Sequence, residues 1–389
     1  MKMGFLPLFV LAHFSHHVLT AIPIPLLPMI RRSFALDYTQ SGLAISAFTL
    51  SYGIAQLPAG WLADRVGPRL LITTGISGVA LGGLLVGLSH TYIMMTLFLV
   101  LMGLAGGGYH PAASPLISMS VEPENRGRAL GFHLIGGSAS YFLAPLMAAA
   151  IASAWGWRGS FVGLAVPTMV FGVVFYVLLG RRVKVEEKEP SIADSDCSDA
   201  PPAPGHVRRL VVFIFLTTFT WAVMSSTIAF IPLFLVDHFA VGEKTAASLL
   251  AIIYAAGFWA GPLGGYLSDR LGRIPVMLAV CFTSGPIFYL LNLVPYGPGF
   301  GALLLVIGTI LIMRSPISEA YIFGQTSRRQ RSTILGIYFF SGHEGSGVLT
   351  PLMGYLIDRL GFYPSFTIAS AALFTVTLAC SLLLWDSRD

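Results

Sequence analysis

Three histidines near the start of the chain are spaced so that one helix face would carry all of them. His13, His16 and His17 occupy positions i, i+3 and i+4. Imidazoles on such a face can line a solute-binding cavity, relay protons near neutral pH, pack as satisfied core residues or hold a transition metal. The spacing leaves these four interpretations open. We favour the cavity wall and predict no metal site.

Three ionisable residues interrupt apolar sequence in the second half of the chain: Arg314, Glu319 and Glu344. Counted along their helices, Arg314 lies about 12 Å and Glu344 about 18 Å from the cytoplasmic helix ends. At these depths their long side chains are predicted to meet. A buried carboxylate that loses its Arg partner takes up a proton, which would couple protons to a conformational change. The alternative is a permanent structural ion pair. Glu319 is the second proton-coupling candidate, with a gating or structural role as its alternative.

The sequence offers no set of residues for catalysis. It contains no His-Glu-x-x-His motif, and the single His-x-x-His-His at residues 13–17 is too little for a di-iron enzyme, which needs several such boxes. Cys197, Cys281 and Cys380 are too far apart in sequence to indicate a metal or redox motif. We therefore predict that the protein is not an enzyme and needs no cofactor.

The elements that must position these residues are membrane helices. Of the 389 residues, 55% are hydrophobic and 11% charged, whereas soluble domains carry about 25% charged residues. This composition excludes a soluble, disordered or nucleic-acid-binding protein. Twelve apolar stretches have the length that a bilayer requires. The predicted spans are 4–30, 41–63, 69–88, 93–118, 127–153, 158–180, 209–236, 244–267, 273–294, 299–322, 332–357 and 362–385.

One long polar stretch divides the spans into two sets of six. Residues 181–208 are charged and Pro-rich, as a solvated linker should be. The predicted organisation is therefore a six-helix bundle over 1–180, an inter-bundle linker over 181–208 and a second bundle over 209–389. The expected fold is an all-α membrane protein of two pseudo-symmetric bundles.

Basic residues predict the orientation of the chain. With a cytoplasmic N-terminus, 17 of the 23 Lys and Arg residues fall on the cytoplasmic side and five on the other. This bias is typical of inner-membrane proteins and places both termini and the linker in the cytoplasm. The pair Arg31–Arg32 is the one local departure from the rule.

The two halves are also repeats of each other. The sequence GWLADRVG at residues 60–67 recurs as GYLSDRLG at 265–272, and the same 205-residue offset carries Pro111 onto Pro316 and Arg126 onto Arg331. Because the offset spans an even number of helices, the repeats are parallel and related by an axis along the membrane normal. A partial third copy, GYLIDRLG, occupies residues 354–361.

This duplicated twelve-span chain, with its Gly-x-Leu-x-Asp-Arg-x-Gly motif after spans 2 and 8, resembles the major facilitator superfamily of secondary transporters. The resemblance covers essentially the whole chain. It implies that residues of the motif form a cytoplasmic latch between the halves that favours one conformation. The gating residues expected from it are Asp64, Arg65, Arg69, Arg126, Asp269 and Arg270.

The resemblance also implies a central cavity lined by spans 1, 4, 7 and 10. The cavity candidates expected from it are His17, Tyr109, His110, Trp221 and Arg314. A narrower similarity is to the fosmidomycin-resistance exporters, whose His-x-x-x-Asp and Phe-His-Pro-Glu motifs are matched in part by residues 13–17 and 109–112. His17 and Ala112 occupy the acidic positions of those motifs, which weakens any carboxylate-dependent step in this half.

Together these features predict a monomeric carrier that moves a small organic solute by alternating access. The favoured prediction is proton-coupled efflux by antiport. The alternative is proton-coupled symport for uptake of a small organic anion, with Arg314 as its counter-charge and Glu344 or Glu319 carrying the proton. The expected partners are the solute, protons and the lipid bilayer.

Overall fold

The computed structural model describes residues 6–121, 126–183, 205–326 and 328–384. Within these ranges the chain forms helices and short turns, with no strand. The α-helices are α1 (Leu6–Thr20), α2 (Leu27–Phe34), α3 (Tyr38–Val66), α4 (Pro68–Gly87), α5 (Tyr92–Gly106), α6 (Tyr109–Met119), α7 (Arg126–Val183), α8 (His206–Asp237), α9 (Glu243–Ala255), α10 (Ala260–Leu271), α11 (Arg273–Tyr289), α12 (Pro298–Gln325), α13 (Arg328–Leu360) and α14 (Phe362–Leu384).

These helices confirm the twelve predicted spans, some of which are broken. The first span forms α1 and α2, with the break around Pro23 and Pro25, which lack the N–H that a continuous helix would need. The fourth span forms α5 and α6. The eighth forms α9 and α10 around a 3₁₀ turn at Ala256–Phe258. Spans 5 and 6 follow each other within α7, which bends at Gly156.

The internal repeat is visible in the backbone. Gly67 has φ 85° and ψ 143°, and Gly272, its counterpart 205 residues later, has φ 91° and ψ 146°. Gly156 and Gly361 form a second pair at this offset, with φ 68° and 83°. Only glycine adopts such angles at little cost, so each copy turns its chain between spans by the same means.

Eight helical stretches of the described chain are long and apolar enough to cross a membrane. Two of the remaining spans, α3 and α13, are more polar. They pack along each other where the two halves meet, as α7 and α9 also do. Glycines permit the close approach of α3 and α13, since a Cβ at Gly42 would lie 2.8 Å from the Pro351 Cα.

The two ends of the bundle are named here by the chain segments that lie there. The linker end holds residues 183 and 205, and the far end holds the connection 35–37 and the connection 238–242. The domain boundaries at 181–208 stay a prediction, because residues 184–204 lie outside the described ranges.

Candidate functional site

Two ion pairs join the halves at the far end. Arg31 at the end of α2 binds Asp237 at the end of α8, with 2.7 Å between Nη1 and Oδ2. Arg32 binds Glu243 at the start of α9 at 3.3 Å. The pair that departs from the expected charge distribution is thus neutralised by acids of the other half.

Tyr38 extends the first of these pairs. Its hydroxyl donates a hydrogen bond of 2.7 Å to Asp237 Oδ2, and the Arg31 guanidinium lies 4.2 Å from its ring centroid. Desolvation, together with the bond to Asp237, raises the pKa of the Tyr38 phenol above its ordinary value. The phenol therefore stays a donor at physiological pH.

Asp358 makes a third connection at the far end. Its carboxylate accepts hydrogen bonds from the backbone N–H of Tyr38 at 3.0 Å and of Thr39 at 2.8 Å. It also accepts one from the Thr39 hydroxyl. These N–H groups belong to the first turn of α3, which has no intrahelical acceptor for them. The acid of the third motif copy therefore caps a helix of the opposite half.

The predicted latch residues behave differently at the linker end. Arg69 donates to the carbonyl of Tyr176 in its own half, at 2.6 Å from Nη2. Arg65 lies over Trp61, and Arg270 over Tyr266, each on its own helix. Asp269 is exposed. The side chains of Asp64 and Arg126 lie outside the described residues, and the latch stays a prediction.

The predicted histidine face on α1 is part of a larger cluster. His17 Nε2 lies 3.1 Å from His110 Nε2 on α6, and His17 Nδ1 lies 3.1 Å from the Thr20 hydroxyl. His13 Nδ1 donates to the carbonyl of His133 at 2.8 Å. His16 Nδ1 donates to the Gly75 carbonyl at 3.1 Å. The structure therefore brings His17 and His110, two of the predicted cavity residues, beside each other.

Ring stacking fixes the orientation of these imidazoles. His16 stacks on Tyr109 with centroids 4.2 Å apart, and His13 stacks on His133 at the same distance. Tyr109 is fully buried, and neither its hydroxyl nor His133 Nε2 has a hydrogen-bond partner among the described residues. The cluster thus keeps polar atoms free for another group.

Aromatic contacts continue from this cluster into the second half. The ring centroids of His17 and Tyr141 lie 4.9 Å apart, and those of Tyr141 and Tyr254 on α9 lie 5.1 Å apart. On the other side, His16 Nε2 accepts from the Tyr52 hydroxyl at 3.1 Å, and the Tyr52 ring lies 5.3 Å from His343 on α13. The cluster therefore reaches both interfaces between the halves.

Arg314 and Trp221, the two cavity candidates of the second half, take no part in the histidine contacts described above. Arg314 is 1% exposed inside the second half, where Nη2 donates to the Thr217 carbonyl on α8. Trp221 is half-buried on α8 beside Gly342. In this conformation Arg314 is thus enclosed by its own half.

The two glutamates have different surroundings. Glu319 accepts a hydrogen bond of 2.7 Å from Ser315, one turn earlier on α12. Glu344 Oε1 is buried with no hydrogen-bond partner among the described residues. It packs on the backbone of α3, since a Cβ at Gly53 would lie 2.5 Å from it.

The predicted meeting of Arg314 with Glu344 is wrong for this conformation. Neither residue takes part in the two ion pairs described at the far end, and Glu344 Oε1 and Arg314 Nε have no hydrogen-bond partner among the described residues. Helix depth alone suggested the contact. The two side chains point differently, because Arg314 turns toward α8 and Glu344 toward α3.

Sequence reasoning missed two groups of site residues. Five residues complete the cluster and its contacts: Tyr52, His133, Tyr141, Tyr254 and His343. They carry no motif, so nothing in the spacing marks them. The far-end residues did leave signals, namely the misplaced Arg31–Arg32 pair and the third motif copy that contains Asp358.

Residues 9–346 match the family model described as Major Facilitator Superfamily. The chain is 26% identical to the probable sulfoacetate transporter SauU of Cupriavidus necator, over 92% of this chain and 87% of that protein. It is 22% identical to the hexuronate transporter of Bacillus subtilis, over 90% and 87%. It is 26% identical to the multidrug resistance protein MdtG of Citrobacter koseri, over 89% and 84%.

Solved structures share the fold. A bacterial homologue of the human lysosomal transporter Spinster, in an inward-facing and unoccupied conformation, superimposes with a TM-score of 0.73 at 19% identity. The match covers 99% of this chain and 96% of that one. The likeness supports a transporter fold of two six-helix bundles.

Proposed function

Because the chain belongs to the Major Facilitator Superfamily, we propose that this membrane transporter of small solutes takes up a small organic anion together with protons by alternating access. The observation that carries the proposal is the cluster around His17 and His110. It brings ring N–H and hydroxyl groups together, its aromatic contacts continue to the second half, and no carboxylate takes part in its described contacts.

Such a wall suits an anion for an electrostatic reason. The N–H shared between His17 Nε2 and His110 Nε2 would turn from its partner nitrogen to a carboxylate or sulfonate oxygen, and a protonated imidazole would add positive charge. Tyr109 supplies a buried hydroxyl without a partner. Two relatives are named for sulfoacetate and hexuronate, which are organic anions. Trp221 would close the wall from the second half.

Glu344 is the proposed proton carrier. An ionised carboxylate would be unpaired where Glu344 packs against α3, so the conformation closed at the far end favours the protonated acid. Separation of α13 from α3 at the far end would expose Glu344 to the outer solution, where it would take up the proton that closure against α3 requires, and water entering from the linker end would later accept that proton. Glu319 keeps a hydrogen-bond partner on its own helix and is the second candidate. Arg314 is assigned a bracing role between α12 and α8.

Alternating access requires that each end open in turn. The ion pairs of Arg31 and Arg32 and the cap by Asp358 hold the far end closed. The latch expected from Asp64, Arg65, Arg69, Arg126, Asp269 and Arg270 would close the linker end in the other state. We place the linker and both termini in the cytoplasm of an inner-membrane protein, so this conformation would face the cytoplasm.

Proton-driven efflux is the second candidate. It is favoured by the similarity to MdtG, a multidrug resistance protein, over most of both chains. An exporter would use the same gate and the same Glu344. The two candidates differ in the direction of solute movement relative to protons.

Uptake into proteoliposomes tests the proposal. Purified protein is reconstituted, and accumulation of labelled sulfoacetate and of a hexuronate is measured with the outside more acidic than the lumen. We expect accumulation with wild type, loss with His110→Ala and no effect of His90→Ala, since His90 is exposed and outside the cluster. Movement of a solute against the direction of proton flow would support efflux, and pH-independent uptake would refute proton coupling.

A further inference from the structure

We propose that His13, His17 and His110 form a binding site for one divalent transition-metal cation of the kind that imidazole prefers, such as Zn²⁺ or Ni²⁺. One ligand nitrogen from each residue lies within 4.8 Å of the others. The ring centroids are 4.8 Å apart for His13 and His17, 5.2 Å for His13 and His110, and 5.1 Å for His17 and His110. The three rings therefore surround a common point.

The separations are close to what coordination requires. With metal–nitrogen bonds of about 2.0–2.1 Å, two ligands of a tetrahedral ion lie about 3.4 Å apart. The Nε2 atoms of His17 and His110 already lie 3.1 Å apart across two helices. His13 offers the third ligand nitrogen within 4.8 Å of the other two.

Hydrogen bonds made by Nδ1 of His13 and His17 leave their Nε2 atoms available to bind a metal ion. His13 Nδ1 donates to the His133 carbonyl at 2.8 Å, and His17 Nδ1 contacts the Thr20 hydroxyl at 3.1 Å. The Thr20 hydroxyl itself donates to the His17 carbonyl, so it accepts from His17 Nδ1. In metal sites such bonds fix the tautomer and direct the other nitrogen at the ion. Here both would present Nε2.

The local packing preserves this arrangement. A Cβ at residue 137 would lie 2.6 Å from His13 Cε1, so Gly137 lets the ring lie flat against α7. Stacking of His13 on His133 at 4.2 Å restricts it further. Three neutral imidazoles leave a fourth tetrahedral position for water or for a solute oxygen. The site itself does not depend on the proposed transport of an anion.

Metal titration of the purified full chain, with any polyhistidine tag removed, tests the site. In calorimetry with ZnCl₂ or NiCl₂ we expect one ion per chain in wild type. His110→Ala should weaken binding at least about 100-fold, and Thr20→Val, which removes an outer contact, about tenfold. The matched control His90→Ala removes an exposed histidine and should bind as wild type does.

Cobalt gives a second readout. Co²⁺ bound by three imidazoles should give the visible absorption of a tetrahedral complex, present in wild type and His90→Ala and absent in His110→Ala. Thr20→Val keeps the proposal testable if His110→Ala does not fold. Wild type without bound metal at micromolar concentration, or equal affinity in wild type, Thr20→Val and His110→Ala, would overturn the proposal whether or not the protein transports an anion.

Discussion

The ionisable side chains of this protein differ in whether they have hydrogen-bond or ion-pair partners. That difference indicates which of them changes protonation during transport. Ionisable groups in a membrane normally find partners. Arg31 and Arg32 have acids, Glu319 has Ser315, and Arg314 donates to a carbonyl through Nη2, although its Nε has no partner among the described residues. The Glu344 oxygen that lies against Gly53 has none. We therefore regard Glu344 as the residue whose state changes during the cycle.

We expect Glu344→Gln to reduce proton-driven uptake by a factor on the order of 10 to 100 while the fold survives, because the amide resembles the protonated acid but cannot release a proton. Glu319→Gln is measured beside it, because Glu319 is the second candidate and the comparison shows which of the two carboxylates carries the proton. The measurement is uptake against external pH in proteoliposomes. A Glu344→Gln protein with wild-type rate and pH profile would remove the residue from coupling.

For single residues, the sequence predicted which residues belong to the site better than it predicted their contacts. The i, i+3, i+4 spacing predicted that His13, His16 and His17 share one face, and the structure adds His110, a predicted cavity residue, beside His17. The contact between Arg314 and Glu344 failed because depth along a helix does not give rotation about it. His133 and Tyr52 could not be found, since neither is marked by a motif and only packing brings them to the cluster.

At the scale of helices, the start of α3 connects the two halves. Asp37 caps this helix from its own half, accepting from Gln40 N–H at 2.6 Å. Asp358 caps the same first turn from α13. Two carboxylates therefore accept hydrogen bonds from the first turn of α3. Only the bonds to Asp358, which lies in the other half, must break when the halves separate.

We predict that Asp358→Ala weakens the far-end closure by about 2 kcal/mol, roughly a 30-fold change in the ratio of closed to open states. Spin labels at His90→Cys and Lys244→Cys, both exposed and in opposite halves, measure the far-end distance, after removal of native cysteines. Asp37→Ala is the matched control, which loses a cap within one half and should leave the distances unchanged. Equal distance distributions in all three proteins would contradict a gating role for Asp358.

Helix positions were predictable because apolar length and glycine turns are local signals. The twelve spans were predicted from the sequence, and the repeated motif marks Gly67 and Gly272, where the structure turns the chain. Breaks within spans were harder to predict. The 3₁₀ turn at Ala256–Phe258, for example, contains no proline that would indicate it. The far-end pairing of Arg31 with Asp237 joins residues 206 apart in sequence, which charge counting cannot match.

For the whole molecule, we propose that the two repeated bundles open the region between them first at one end and then at the other. The described conformation holds the far end together by charges from both halves. At the linker end, Arg65, Arg69 and Arg270 contact groups of their own half. A solute and a proton would move because closing one end opens the other.

The most direct test follows both ends of one reconstituted protein. Far-end labels at positions 90 and 244 are compared with linker-end labels at Val66→Cys and Leu271→Cys, which are exposed counterparts in the two repeats, over a pH range with and without sulfoacetate. The account predicts opposite changes: the far-end distance lengthens as the linker-end distance shortens. Fixed distances at both ends while the protein transports solute would contradict it.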